Sequence, residues 1–233
     1  MMPKSLLILC VGLAVLAAAA ILAQAVRSEE VDAAKVARRA MDNGDPDNFD
    51  PNLIKGEDWT YDLKIEDPQP IVVAAPGGEK EVYWYVVYTV TNTSKAEHNY
   101  IPTFTMYSDT TKVERAGIYP AVFNAILKHR RIQFLENSAA MFGKVLPGPD
   151  NARTCVAIFK PMDRATSHFT IFVENASGLF IERPNPAAPE NAKPEEKIVT
   201  LRKTLALKYK IPGDEFWKNL DTAIPTAKTW TWR

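Results

Sequence analysis

The sequence predicts a mainly β protein: an antiparallel sandwich with one short packed helix, preceded by an N-terminal apolar helix and a spacer. Three observations predict it. Glu81–Asn92, EVYWYVVYTVTN, is the longest apolar β-type run outside the N-terminus, with β-branched or aromatic residues at ten positions. Short alternating segments recur along the chain between turns drawn from its 17 prolines, 10 glycines and turn-like runs such as Asn92-Thr93-Ser94. Strands and helices do not alternate, so nothing calls for βαβ units and a parallel sheet.

In the long run, one parity carries Val82, Trp84, Val86, Tyr88 and Val90, and the other carries Tyr83, Tyr85, Val87, Thr89 and Thr91. Side chains alternate across a strand, so one face is wholly apolar or aromatic and the other amphipathic. This makes it a central strand, flanked by Trp59–Glu66 or Tyr100–Tyr107 and facing strands such as Arg153–Phe159. Its second face, with Tyr83 and Tyr85, is too aromatic for solvent. Either the helix at 120–131 or the tryptophan-rich tail should cover it.

The chain opens with Lys4 followed by an uncharged apolar stretch, Ser5 to Val26, ending in Ala23-Gln24-Ala25. That pattern describes a secretory signal peptide cleaved after Ala25. The apolar part, about 20 residues, is also long enough to cross a bilayer as an uncleaved single-pass anchor through residues 5–25. Both readings place the remainder outside the cytoplasm: periplasmic or secreted if cleaved, otherwise membrane-anchored. Ser28 to Met41 then reads as a short helix with Ser28 as N-cap, acids in its first turn and Arg38 and Arg39 in its last. Asp42 to Asp50, DNGDPDNFD, is dense enough in carboxylates to raise a Ca²⁺ site, but Pro46 and the early Gly44 break the EF-hand pattern, and a solvated spacer fits better.

Trp59 to Glu66 alternates with Trp59, Tyr61, Leu63 and Ile65 on one face, a half-buried strand. Ile71-Val72-Val73 begins another. Tyr100 to Tyr107 returns as a strand with an edge or bulge at Pro102, and Lys112–Arg115 reads as a further short one. Pro120 to Arg131 is the one convincing helix of this region: Pro120 suits its first position, Val122, Phe123, Ile126 and Leu127 form a core-facing stripe, and Lys128, His129, Arg130 and Arg131 complement its C-terminal dipole. Strands resume at Ile132–Leu135, then Arg153–Phe159 paired with Ser167–Glu174. Glu182 to Glu196 holds four prolines and reads as an unpacked connection. Lys197 to Tyr209 forms a long strand. The domains are therefore 1–25 (signal or anchor), 26–57 (helical and acidic spacer) and 58–233 (β-sandwich with a Pro-rich loop at 183–196).

YVVYTVTNTS, a strand followed by an Asn turn, and VAIFKPMDRATSHFTIFVENASGL, read as paired strands, resemble immunoglobulin-like domains found behind bacterial signal peptides. The resemblance covers roughly Trp59 to Tyr209. It implies modules that bind, present or space other parts, and only the architecture carries over, because the Cys…Trp…Cys pattern of antibody domains is absent.

Composition narrows the function classes. With 28 basic and 28 acidic residues the net charge is zero, which removes the footprint of a general nucleic-acid binder. Of the two cysteines, Cys10 lies in the apolar leader, leaving Cys155 as a lone thiol in a strand-like setting. No G-x-S-x-G, H-E-x-x-H, Walker A, G-x-G-x-x-G or paired C-x-x-C occurs, and His98, His129 and His168 lack ligand spacing. No catalytic, cofactor or metal residue is therefore assigned. Candidate contact residues are Trp217, Trp230 and Trp232, which could stack on a sugar or a partner if exposed and would staple the tail if buried. The basic cluster Lys128, His129, Arg130 and Arg131 could take an anion. Asn92-Thr93-Ser94 and Asn175-Ala176-Ser177 are read as turns. The expectation is a non-enzymatic envelope module whose partner is an envelope protein or carbohydrate; the alternatives are a ligand-binding module using the tryptophans, or a hydrolase with an unrecognised site.

Overall fold

The long run becomes β4 (Lys80–Thr91), the middle of a five-stranded sheet and paired along both edges. One edge holds β10 (Arg153–Phe159), antiparallel, with Cys155 opposite Tyr88 and Phe159 opposite Trp84. The other edge holds β2 (Asp62–Ile65) and then β3 (Gln69–Ala74), with Pro68 between them. The two-residue strand β8 (Glu136–Asn137) adds to β10 in parallel. The computed structural model describes residues 51–74, 78–110, 112–213 and 222–233, all within the unit Pro46–Arg233. The apolar leader, the Ser28–Met41 helix, the Asp42–Asp50 loop and Trp217 lie outside the described residues.

A seven-stranded antiparallel sheet is built on β13 (Ile198–Lys210). Its C-terminal half pairs with β11 (His168–Glu174), which continues to β6 (Thr103–Ser108) and β7 (Val113–Arg115). Its N-terminal half pairs with β12 (Ser177–Pro184), and β12 with β1 (Ile54–Thr60). The opposite edge of β13 takes β14 (Ile224–Trp232). The hydrogen bonds fix which edge is which. Arg202 exchanges both main-chain bonds with Arg233, so alternate residues of β13 from Arg202 face β14. Asn185 N–H donates to the Lys197 carbonyl, so the residues in between face β12. β11 and β12 thus follow one another on one edge, interrupted at Asn175, whose φ is +59°. A separate two-stranded ladder joins β5 (His98–Tyr100) to β9 (Gly143–Val145).

The inner faces of the two larger sheets share one apolar cluster. Trp84, Val86, Tyr88 and Val90 of β4 meet Phe104 and Met106 of β6, Phe169, Ile171 and Val173 of β11, and Leu205, Leu207 and Tyr209 of β13. A second cluster lies on the other face of β4, where Tyr85 and Val87, with Val156 and Ile158 of β10, are covered by Val122 and Ile126 of α1 (Pro120–Arg130). The helix therefore does cover the second aromatic face. It is pinned at its C-terminal end: Arg130 donates to Glu66 at 2.6 Å and to Gln69 at 3.1 Å, and Tyr85 Oη donates to the same Gln69 oxygen at 2.8 Å.

Several expectations are corrected. Trp59–Glu66 is two strands in different sheets, because the Tyr61 N–H leaves β4 and donates to the Ala176 carbonyl at 2.9 Å. The alternation survives the crossover since both sheets face the same core. Arg153–Phe159 lies beside β4 and does not face it, and it does not pair with His168–Glu174, which belongs to the other sheet. Tyr100–Tyr107 breaks at Pro102 into β5 and β6; β6 faces β4 across the core. Ile132–Leu135 is not a strand: the chain turns there, with Phe134 at φ +59°. Glu182–Pro184 is not loop but the end of β12. A one-turn helix, α2 (Ser138–Met141), capped by Asn137 Oδ1 on the Ala140 N–H, joins α1.

Ile126 has 0% exposure under the second face, so Ile126→Ala should cost about 2–5 kcal/mol through its cavity. Val72, 43% exposed on β3, should change stability by less than ~0.5 kcal/mol when replaced by Ala. Guanidinium melts of the two variants measure the contrast, and equal losses would remove α1 from the core.

Candidate functional site

A half-open groove of about 310 Å³ lies between the end of β2 and β14, floored by β13. Ile65 and Asp67 form one wall, Thr226 and Lys228 the other, and Leu207 and Tyr209 the base. Glu66 N–H donates to the Val87 carbonyl, so its neighbour Ile65, like Leu63, turns its main-chain groups away from β4 and toward this gap. Lys228 lies opposite Leu207 in a pair whose main-chain groups point away from β13, by alternation from the Arg202–Arg233 bonds, so its own N–H and C=O lie on the outer edge of β14. The Lys228 ammonium reaches across to the Leu63 carbonyl at 3.4 Å. One end of the groove is closed by Ala223 N–H on the Pro68 carbonyl at 3.3 Å. Asp67 forms no ion pair among the described residues, and burial pushes its carboxyl above the usual range. Neither Asp67 nor Lys228 is marked out by the sequence; the only signal is an acid placed just before the Pro68 break.

A second polar cluster surrounds the turn after β4. His98 stacks on Trp59 with ring centroids 4.3 Å apart, its Nε2 lies 2.9 Å from Ser94 Oγ, and its Nδ1 lies 3.9 Å from the Glu57 carboxylate. Serine, histidine and carboxylate in that order invite comparison with an acyl-transfer triad. The hydroxyl proton decides the matter. Asn92 Oδ1 at 2.7 Å and the Ala96 carbonyl at 2.9 Å, both acceptors only, share the single Ser94 hydroxyl proton, leaving the imidazole to donate to Oγ. Asn92 itself, 1% exposed, donates to the carbonyls of Ala96 and Val145. Trp59 rests on Gly178, where a Cβ would meet the indole nitrogen at 2.5 Å. The cluster closes the turn and ties β5 and β1 to it.

The tryptophans divide. Trp230 lies on the inner face of β14, opposite Leu205, and packs half-buried against the main core with the Lys203 ammonium 5.2 Å over its ring. Trp232, also half-buried, lies opposite Lys203. In the basic cluster, Arg130 is bonded to Glu66 and Gln69, while Lys128, His129 and Arg131 are exposed, Arg131 with φ +51° as the helix cap. Asn175 donates to the Ile101 carbonyl at 3.2 Å in its turn. Among the described residues no three His, Cys, Asp or Glu side chains gather as a metal site, and no helix is long and apolar enough to cross a membrane.

Cys155 is fully buried beside Tyr88 and Tyr100, whose hydroxyls make no hydrogen bond of ordinary geometry. Burial pushes the thiol up to about 11, and burial raises both phenols as well. Comparison with protein-family models, with curated proteins and with solved structures returns no match.

The thiol sets an alkaline limit on stability. Its acidity is weaker in the folded chain, so ionisation above the ordinary value of 9.0 favours unfolding, and stability present below pH 9 is lost as pH rises toward 11. Denaturant midpoints should be flat in this respect below pH 9 and fall above it, and Cys155→Ala should flatten the fall between pH 9 and 10. An unchanged profile would show that Cys155 contributes nothing to it.

Proposed function

We propose that this chain is an exported or membrane-anchored, non-enzymatic structural and interaction module of the cell envelope, built on an immunoglobulin-like β-sandwich. The observation that carries the reading is the N-terminal pattern: Lys4, the apolar stretch from Ser5 to Val26 and the Ala23-Gln24-Ala25 ending. The sandwich is supported by two sheets, antiparallel except for the short β8–β10 pair, that contribute to one apolar cluster. The interaction role is supported by the groove between β2 and β14, two strands whose outer main-chain groups point away from their own sheets.

Cell fractionation with N-terminal sequencing tests export. Soluble extracytoplasmic protein beginning at Val26 is expected if the leader is cleaved, and intact membrane-bound protein if it anchors the chain. Intact soluble protein in the cytoplasm would overturn the reading.

A further inference from the structure

We propose that the seam between β2 and β14 is a docking site for an extended peptide segment carrying a basic side chain, whose main chain pairs with β14 and whose cation meets Asp67. The two sheets meet elsewhere through side chains packed in a common core, but along this seam each ends in a strand whose outer main-chain groups point away from its own sheet. Leu63 and Ile65 of β2 point outward on one side, Lys228 and Trp230 of β14 on the other. Among the described residues β14 pairs only with β13. An unpaired strand edge is a template for a further strand, and the main chain supplies the affinity in such additions while pockets for alternate side chains supply the choice of partner.

The pocket here selects charge. Asp67 stands in the groove wall with no ion pair among the described residues, beside the Tyr209 ring and the aliphatic surfaces of Ile65 and Leu207. A carboxylate partly withdrawn from water and with no counter-charge among the described residues gains most from an incoming ammonium or guanidinium, whose stem the apolar walls would cover. Lys228 does not fill this role, since its ammonium is directed to the Leu63 carbonyl. Lysine on an edge strand ordinarily repels further strands. Turned inward to a carbonyl, this one leaves the outer edge of β14 open and marks the gap a peptide would enter, displacing a single weak contact. The Ala223–Pro68 bond closes one end, which fixes where the segment stops.

The proposal deepens the reading of the domain as an interaction module, and it fails separately: fractionation decides export, whereas peptide binding decides the seam. The test uses the full chain in detergent and three acetylated, amidated, fluorescein-labelled pentapeptides followed by anisotropy: Thr-Val-Lys-Val-Thr, its glutamate counterpart, and the lysine peptide N-methylated at alternate amides. The lysine peptide should bind about tenfold more tightly than the glutamate peptide, a difference of ~1.4 kcal/mol. Asp67→Asn should erase that preference without changing the melting temperature, and N-methylation should abolish binding to the unaltered chain. The proposal is overturned by equal binding of the two charged peptides, by no saturable binding, or by a preference that survives Asp67→Asn. It is equally overturned if a concentration-dependent dimer occupies the seam and the lysine peptide fails to dissolve it.

Discussion

A strand buried on both faces is the constraint on which the architecture depends. In β4, Trp84, Val86, Tyr88 and Val90 lie in one apolar cluster while Tyr85 and Val87 lie in another. Its neighbour β10 divides in the same way, with Cys155, Ala157 and Phe159 on the first side and Val156 and Ile158 on the second. Fully burying a large apolar side chain is worth about 1.5–3 kcal/mol, so neither face of this pair can be left to water. The first demands a second sheet, which β6, β11 and β13 supply. The second is only a few residues wide, and one short helix suffices. Arg130 then fixes the helix to the β2–β3 edge through Glu66 and Gln69.

The same constraint explains where polar atoms go. A tyrosine on the narrow second face can reach out, and Tyr85 Oη finds Gln69. Tyr88 and Tyr100 on the broad face cannot, and their hydroxyls share the interior with the Cys155 thiol. Burial without ordinary hydrogen bonds is tolerated there because all three groups are neutral, and it becomes costly when any of them ionises. At the end of β4 the demand is met differently. Asn92, although buried, satisfies its amide on two carbonyls and so organises the turn holding Ser94 and His98.

What the sequence made legible was local. The central strand, its two-sided character, the Pro120 helix and the long β13 all rest on periodicity within one segment, and each appears in the structure. Partner choice was not legible. Trp59 to Ile65 alternates without a break although Tyr61 switches sheets, because both sheets present that parity to the same core. β10 and β11 looked like a hairpin because each is an apolar strand beside a turn, yet they lie in opposite sheets. The Pro-rich composition after Glu182 hid the end of β12, whose residues up to Pro184 still pair with β13. The groove is less legible still. Its lining comes from segments far apart in the chain, and the contact that crosses it joins Leu63 to Lys228, 165 residues apart. No residue type announces such a site.

Edge protection separates this groove from the other margins of the sheets. β7 has three residues and β8 two, too short to template another strand. β3 carries Pro70, which removes a donor from its outer row. β1 is irregular between Gly56 and Thr60, bears Glu57 and Asp58, and ties Lys55 to Glu182 at 2.5 Å. Each margin is thus blunted by shortness, proline, irregularity or charge. β14 has nine residues, and its two protective features are misplaced for the purpose: Pro225 lies at its very start and the Lys228 charge is drawn across the gap. The edge that is long, regular from Ala227 onward and beside a carboxylate with no ion pair among the described residues is therefore that of β14. Among the described residues this is the strand edge with the least of these protections.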